Sequence, residues 1–264
     1  MRPTVHYLME TEAHVYALAI AASVLLAFYP FLTVMISLCH DVLRWPAAEK
    51  AIYLAVDDFF AGQAGTFIVR NLKLARPQFH FTAMFLLLFT ANGVFEPMEV
   101  ALNRAWGVTT NRTYLKNQLV SLGLILACGA LALVSLMLTA LGGRFMSGAT
   151  GLLGDIAAFA HRLFFKLAAV PVSMFTLFLV YWLLPNRKIE PARVAPVAIV
   201  VGLVLEGMKY VNLLFADMLY NKLDREYAIF KFSVTILLWS FAGALVVLAG
   251  AHWTARRDTI DPLS

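Results

Sequence analysis

The chain has 264 residues, of which 61% are hydrophobic and only 14% charged, with a formal net charge of +5. A soluble domain carries about 25% charged residues, and one water-soluble core does not bury an apolar surplus of this size, so a soluble enzyme or binding module is excluded. The basic residues stand in short groups at the ends of apolar runs, not in one stripe, which suits anionic lipid headgroups and not a nucleic-acid surface.

A helix that crosses the hydrocarbon needs roughly 20 mostly apolar residues. The first such run is predicted from about Ala13 to Cys39, and Glu10 and Glu12 ahead of it, with its length, are not those of a cleavable signal peptide. The connection from His40 to Gln78 is not simply polar. Ile52, Val56, Phe59 and Phe60 share one helical face, apart from Glu49, Asp57 and Asp58. Further on, Phe67, Ile68, Val69, Leu72 and Leu74 alternate with Arg70, Lys73 and Arg76. Two short amphipathic helices, lying at the membrane interface or capping the bundle, are predicted there, with a plain surface loop as the alternative.

The second span is predicted from about Phe79 to Val100, the third from Leu115 to Leu141 and the fourth from Leu163 to Leu184. The fifth runs from about Val194 to Tyr220 and the sixth from Ala228 to Trp253. All must be helical, because lipid offers backbone amides no partners. Trp45, Trp106, Tyr114, Tyr181, Trp182, Tyr220, Tyr227 and Trp253 fall near span ends, where amphipathic rings prefer the interface. Pro185, Pro191 and Pro196 bracket the turn before the fifth span, and Pro30 and Pro171 predict kinks. The expected fold class is therefore all-α: one polytopic transmembrane domain over residues 1–264, with about six spans and short amphipathic helices between the first and second.

Six spans place both termini on one side. Arg104, Arg112 and Lys116, then Arg187, Lys188 and Arg193, then Arg256 and Arg257 all fall on that side, so both termini are expected in the cytoplasm. Arg70, Lys73 and Arg76 pull the other way.

Two spans carry polar residues at helical spacing. In the fifth, Glu206 and Lys209 are three apart and able to pair, Asp217 returns to their face after about three turns, and Asn212 lies between. In the second, Asn92, Glu96, Glu99 and Asn103 recur by four, three and four, with Arg104 beside them. Gly93 and Pro97 interrupt that helix, as in the broken helices of transporters. Glu96 or Glu99 is expected to pair with Arg104, Lys209 or Arg112. Two carboxylates on one helix face do not make a glycosidase-like pair. Cys39, Cys128 and six histidines form no metal-ligand spacing, and neither a phosphate loop nor a dinucleotide motif occurs. No cofactor and no enzymatic activity are expected.

Three stretches resemble the YihY/BrkB family of inner-membrane proteins, once labelled ribonuclease BN. They are AFYPFLTVMISL at Ala27 to Leu38, ALNRAWGV at Ala101 to Val108, and YWLLPNRKIEPAR at Tyr181 to Arg193, followed by Glu206 and Lys209. The chain departs from that pattern at Lys231, where the family often has glycine, and at His252, where it often has glutamate. The role of that glutamate is therefore not carried over. The resemblance implies a six-helix inner-membrane fold, with links to serum resistance and lipid export and not to ribonuclease chemistry.

Two functional readings stay open at this stage. In one, the polar faces line the path of a transporter or flippase-like protein for a lipidic or amphiphilic molecule. In the other, the charges fix packing in a structural or partner-binding envelope protein. Membrane lipids are partners in both, and nucleic acid in neither.

Overall fold

The computed structural model describes residues 13–60, 63–74, 81–108, 112–144 and 170–260, at some of them, Asp217 included, by the backbone alone. Eight α-helices and no strand occur among these residues. They are α1 (Ala13–Ser37), α2 (Pro46–Phe59), α3 (Gln63–Leu74), α4 (Phe81–Ala105), α5 (Tyr114–Arg144), α6 (Val170–Leu183), α7 (Pro191–Tyr227) and α8 (Lys231–Ile260). A π-helical turn, Leu38–Val42, prolongs α1, and a 3₁₀ turn, Ala228–Phe230, joins α7 to α8.

Among the described residues, five segments are long and apolar enough to cross a membrane: Ala13–Val42, Phe85–Ala105, Leu115–Ser135, Pro191–Asn212 and Lys231–Ala255. The chain is thus a multi-pass helical bundle. The predicted fourth span coincides with α6 from Val170 onward, and its predicted start at Leu163 lies outside the described residues. Pro171 is the second described residue of α6, so the kink predicted there falls at the edge of the described residues. Both amphipathic helices of the first connection are present, as α2 and α3.

Local sequence explains the helix ends. Proline opens both α2 and α7, where a missing N–H costs nothing. The predicted second span runs on to Ala105 because the residues Ala101 to Ala105 are good helix formers. Gly107 then takes a left-handed φ of 64°, and two backbone bonds close the end: Val108 N–H to Asn103 O at 2.8 Å and Gly107 N–H to Arg104 O at 3.2 Å. This is a Schellman cap, and the glycine is what allows it.

α1 is the central helix, packing chiefly along α4 and α8, while α7 packs on α8 and α2 bridges α3 and α5. Apolar burial is concentrated at the two ends of the bundle. One cluster joins Ile20, Leu102, Trp106, Leu124, Leu184, Val197 and Leu248, at the end where α4 stops and α7 starts. The other joins Leu32, Met35, Cys39, Ile52, Phe60, Ile68 and Ile236, and it is what seats α2 and α3 against the spans. The first end also gathers Arg104, Arg112, Arg187, Lys188 and Arg193 and is called the basic end; the second is the hairpin end.

Two rings assigned to the interface by their sequence position are core residues instead. Tyr181 is 1% exposed and Trp106 is 7% exposed. The Tyr181 hydroxyl donates to Val247 O at 2.7 Å, which removes its need for interfacial water.

Tyr53, on α2, sits beneath the Lys73 ammonium at 5.2 Å and donates a hydrogen bond to Glu49 at 3.4 Å, while Glu49 also meets His40 Nδ1 at 3.2 Å. Burial, reinforced by the charge of Glu49 and the bond to it, pushes the Tyr53 phenol up to about 12.

Candidate functional site

Between the two packed ends the bundle is looser. α5, α6 and α7 enclose a cavity of about 420 Å³, whose described lining is mostly apolar. Cys128, Leu131 and Ser135 come from α5, Ser173 and Thr176 from α6, and among the described residues the charged side chains on its wall are Glu206 and Lys209 of α7. Lys209 Nζ donates to Glu206 Oε2 at 2.7 Å, an i,i+3 pair.

Packing sets the level of this pair. A Cβ placed on Gly243 would touch Leu205 Cδ2 at 3.8 Å. Gly243 lies in the interior of the apolar segment Lys231–Ala255 of α8, so Glu206 is level with the interior of that segment. Glu206 and Lys209 both belong to the segment Pro191–Asn212, which is long and apolar enough to cross a membrane, with Lys209 within a turn of its last residue. The side chain of Glu206 is 22% exposed and that of Lys209 is 51% exposed. Within such a span, exposure outside the bundle is to acyl chains, where an unpaired charge costs up to about 2.5–3.5 kcal/mol. Pairing therefore holds both groups in a place where neither alone is at ease.

Asn212 is 4% exposed and is not part of the cavity wall, and the side chain of Asp217 lies outside those described.

The polar residues of α4 divide in two. Glu99 and Asn103 are 5% and 6% exposed, Asn92 is half-buried, and Glu96 and Arg104 face outward. The expected pairing of Glu96 or Glu99 with a cation is corrected by what each group touches. Glu99 Oε1 accepts from Asn103 Nδ2 at 3.5 Å, and Glu99 Oε2 is buried without a hydrogen-bond partner. Arg104 Nη1 reaches Tyr16 OH at 3.5 Å, Lys209 is taken by Glu206, and Arg112 serves backbone carbonyls. The stripe is narrow in angle, so a small rotation of α4 leaves Glu96 on its outer edge.

Asn103 acts through the turn between α6 and α7. Its Oδ1 accepts the backbone N–H of Asn186 at 2.8 Å, tying α4 to that turn. Arg112 Nη2 clamps the same turn from the side, donating to Leu183 O at 3.1 Å and Pro185 O at 2.8 Å. Trp182 Nε1 donates to Ile189 O at 3.1 Å and closes it from within. Arg112 and Asn186 were not singled out by sequence as structural; a lone arginine in a short basic loop carries no sign that its partners are carbonyls 71 to 73 residues away. Replacing Asn103 by Ala leaves the Asn186 N–H and Glu99 unpartnered in a buried layer. A loss of about 2 kcal/mol is expected, read as a lower melting temperature in detergent and faster proteolysis at the turn.

Among the described residues, no group of three His, Cys, Asp or Glu side chains is placed to hold a metal ion.

A model of the virulence factor BrkB family matches residues 4–261 of the chain. The chain belongs to the BrkB family. Neither a curated protein nor a solved structure is similar enough to be matched to it. The family is described as a virulence factor. Family and fold together make this BrkB protein a multi-pass protein of the inner membrane, in contact with its lipids. Within the BrkB chain, the ALNRAWGV segment is the Schellman-capped end of α4, and YWLLPNRKIEPAR is the clamped turn. Glu206 and Lys209 are the pair on the cavity wall.

Proposed function

We propose that this BrkB protein moves an amphiphilic or lipidic molecule between the faces of the membrane along the α5–α6–α7 cavity, in a six-span arrangement with both termini in the cytoplasm. The observation that carries this reading is an ion pair within a membrane-length apolar segment, on the wall of a cavity whose described lining is mostly apolar. The apolar lining accepts an acyl chain, and a paired charge that opens transiently offers a headgroup the partners that hydrocarbon lacks. The end that collects the arginines and lysines of the short turns then faces the cytoplasm.

The test is translocation of a tail-labelled fluorescent phospholipid in liposomes, read by dithionite quenching. The intact protein is expected to accelerate translocation. Replacing both Glu206 and Lys209 by Gln is expected to slow it about tenfold, the effect of removing an interaction of about 1.4 kcal/mol at the barrier. Equal rates with and without wild-type protein would refute the reading.

One feature favours the rival in which the protein is a structural or partner-binding envelope component. Asn103, Arg112 and Tyr181 all hold helices and turns together. In that case the double variant alters stability alone.

A further inference from the structure

At the basic end, a second cavity of about 550 Å³ lies around the α6–α7 turn, lined by Arg112, Trp182, Arg187 and Lys188 together with backbone of the turn. Three of these four side chains are cationic. Among the described residues, Glu190 is the acid that lines the neighbouring hollow, and it pairs with Arg193 at 3.0 Å. Arg112 uses Nη2 for the two carbonyls of the turn, yet its Nη1 is buried and has no hydrogen-bond partner. A guanidinium on the wall of a hollow that it shares with two more cations gives the hollow a positive potential that favours an anion. Arg187 stacks on the Trp106 ring at 5.9 Å, which sets its guanidinium in place beside the hollow.

The apolar continuation of this site is equally specific. Trp182, on the cavity wall, stacks on Phe178 with centroids 5.8 Å apart, and Phe178 stacks on Phe175 at 6.0 Å. The three rings form a ladder down one side of α6, about 10 Å long, from the basic turn into the hydrocarbon. Phe175 and Trp182 are both exposed on the bundle surface. The indole is held in orientation by its bond to Ile189 O. A cationic hollow at the headgroup level, continuous with an aromatic track at acyl-chain level, matches one kind of molecule.

We infer that the α6–α7 turn is a binding site for an anionic phospholipid: the phosphate lies against Arg112, Arg187 and Lys188, and one acyl chain lies along Trp182, Phe178 and Phe175. The site stands on the opposite side of α6 from the α5–α6–α7 cavity. It does not depend on the transport reading, and it defines a lipid held by the protein from the leaflet at the basic end.

The test is native mass spectrometry of the full chain exchanged into phosphatidylglycerol or phosphatidylcholine. A basic residue near the surface is worth about fivefold in affinity for anionic lipid. Arg187→Gln with Lys188→Gln is therefore expected to weaken retention of phosphatidylglycerol by more than tenfold, leave phosphatidylcholine unchanged and keep the melting temperature. Phe175→Ala with Phe178→Ala is expected to weaken both lipids. Glycerol phosphate serves as the soluble competitor and is expected to leave bound phosphatidylglycerol in place. The assignment is overturned by wild type retaining the two lipids equally, by undiminished retention in the Arg187/Lys188 variant, or by full displacement with glycerol phosphate, which would make the ligand a soluble phosphate ester.

Discussion

Glu206→Gln alone is expected to harm the protein more than Glu206→Gln combined with Lys209→Gln. The single change strands the Lys209 ammonium within an apolar span, where a charge costs up to about 2.5–3.5 kcal/mol. A loss of about 2–3 kcal/mol is expected for either single variant. The double variant removes both charges from hydrocarbon and is expected within about 1 kcal/mol of wild type, as when buried ion pairs are replaced together. The measurement is a double-mutant cycle from denaturant midpoints in mixed micelles, with a coupling of at least about 2 kcal/mol. Additive losses would mean that the 2.7 Å contact contributes nothing at that depth.

Gly250→Val is expected to be the most damaging substitution in the packed basic end. A Cβ at that position would stand 2.5 Å from Val201 Cγ2 and 2.6 Å from the Tyr181 hydroxyl. α6, α7 and α8 meet there, so no one helix is able to withdraw without disturbing the others. Overpacking costs about 1–3 kcal/mol. Displacing Tyr181 also strips the bond to Val247 O, worth about 1 kcal/mol. A total of about 3 kcal/mol is expected, with Gly250→Ala intermediate, both read as melting temperatures in detergent. Wild-type stability in Gly250→Val would show that these helices are not in such close contact.

Much of this fold was readable because lipid removes alternatives. A run such as Ala13 to Cys39 has no choice but a helix, since no other local structure satisfies its backbone in hydrocarbon. The amphipathic pattern of Ile52, Val56 and Phe60 was readable for the related reason that one face must bury, and all three do. The spacing of Glu206 and Lys209 places them on one helix face, and their contact is local, needing no tertiary knowledge.

What escaped the sequence depends on how helices meet. Tyr181 and Trp182 are neighbours near the end of the same run, and nothing in their order says which ring enters the core. Only the helix rotation decides it, placing Tyr181 on Val247 and Trp182 on the surface. The division of Glu96 from Glu99 has the same origin. Arg112 looked like a topology signal, and it is also a clamp on carbonyls far along the chain. Gly243 and Gly250 are both in α8, yet the nearest atom to a Cβ on the first is at 3.8 Å and on the second at 2.5 Å. That difference is set by partners on α6 and α7, not by the local sequence.

The claim on which the rest turns is that the Glu206–Lys209 pair borders an apolar cavity deep in the hydrocarbon. Cys128 lines that cavity and lies within a turn of the centre of the apolar segment Leu115–Ser135, so the native thiol reports on it directly. With Cys39 replaced by Ala, a nitroxide on Cys128 in liposomes can be read by power saturation against oxygen and a water-soluble nickel chelate. Strong oxygen and negligible chelate broadening, at a depth near the bilayer centre, is the expected result. Chelate broadening equal to that of a label at Lys188→Cys, on the basic turn, would put the cavity in water and contradict the account.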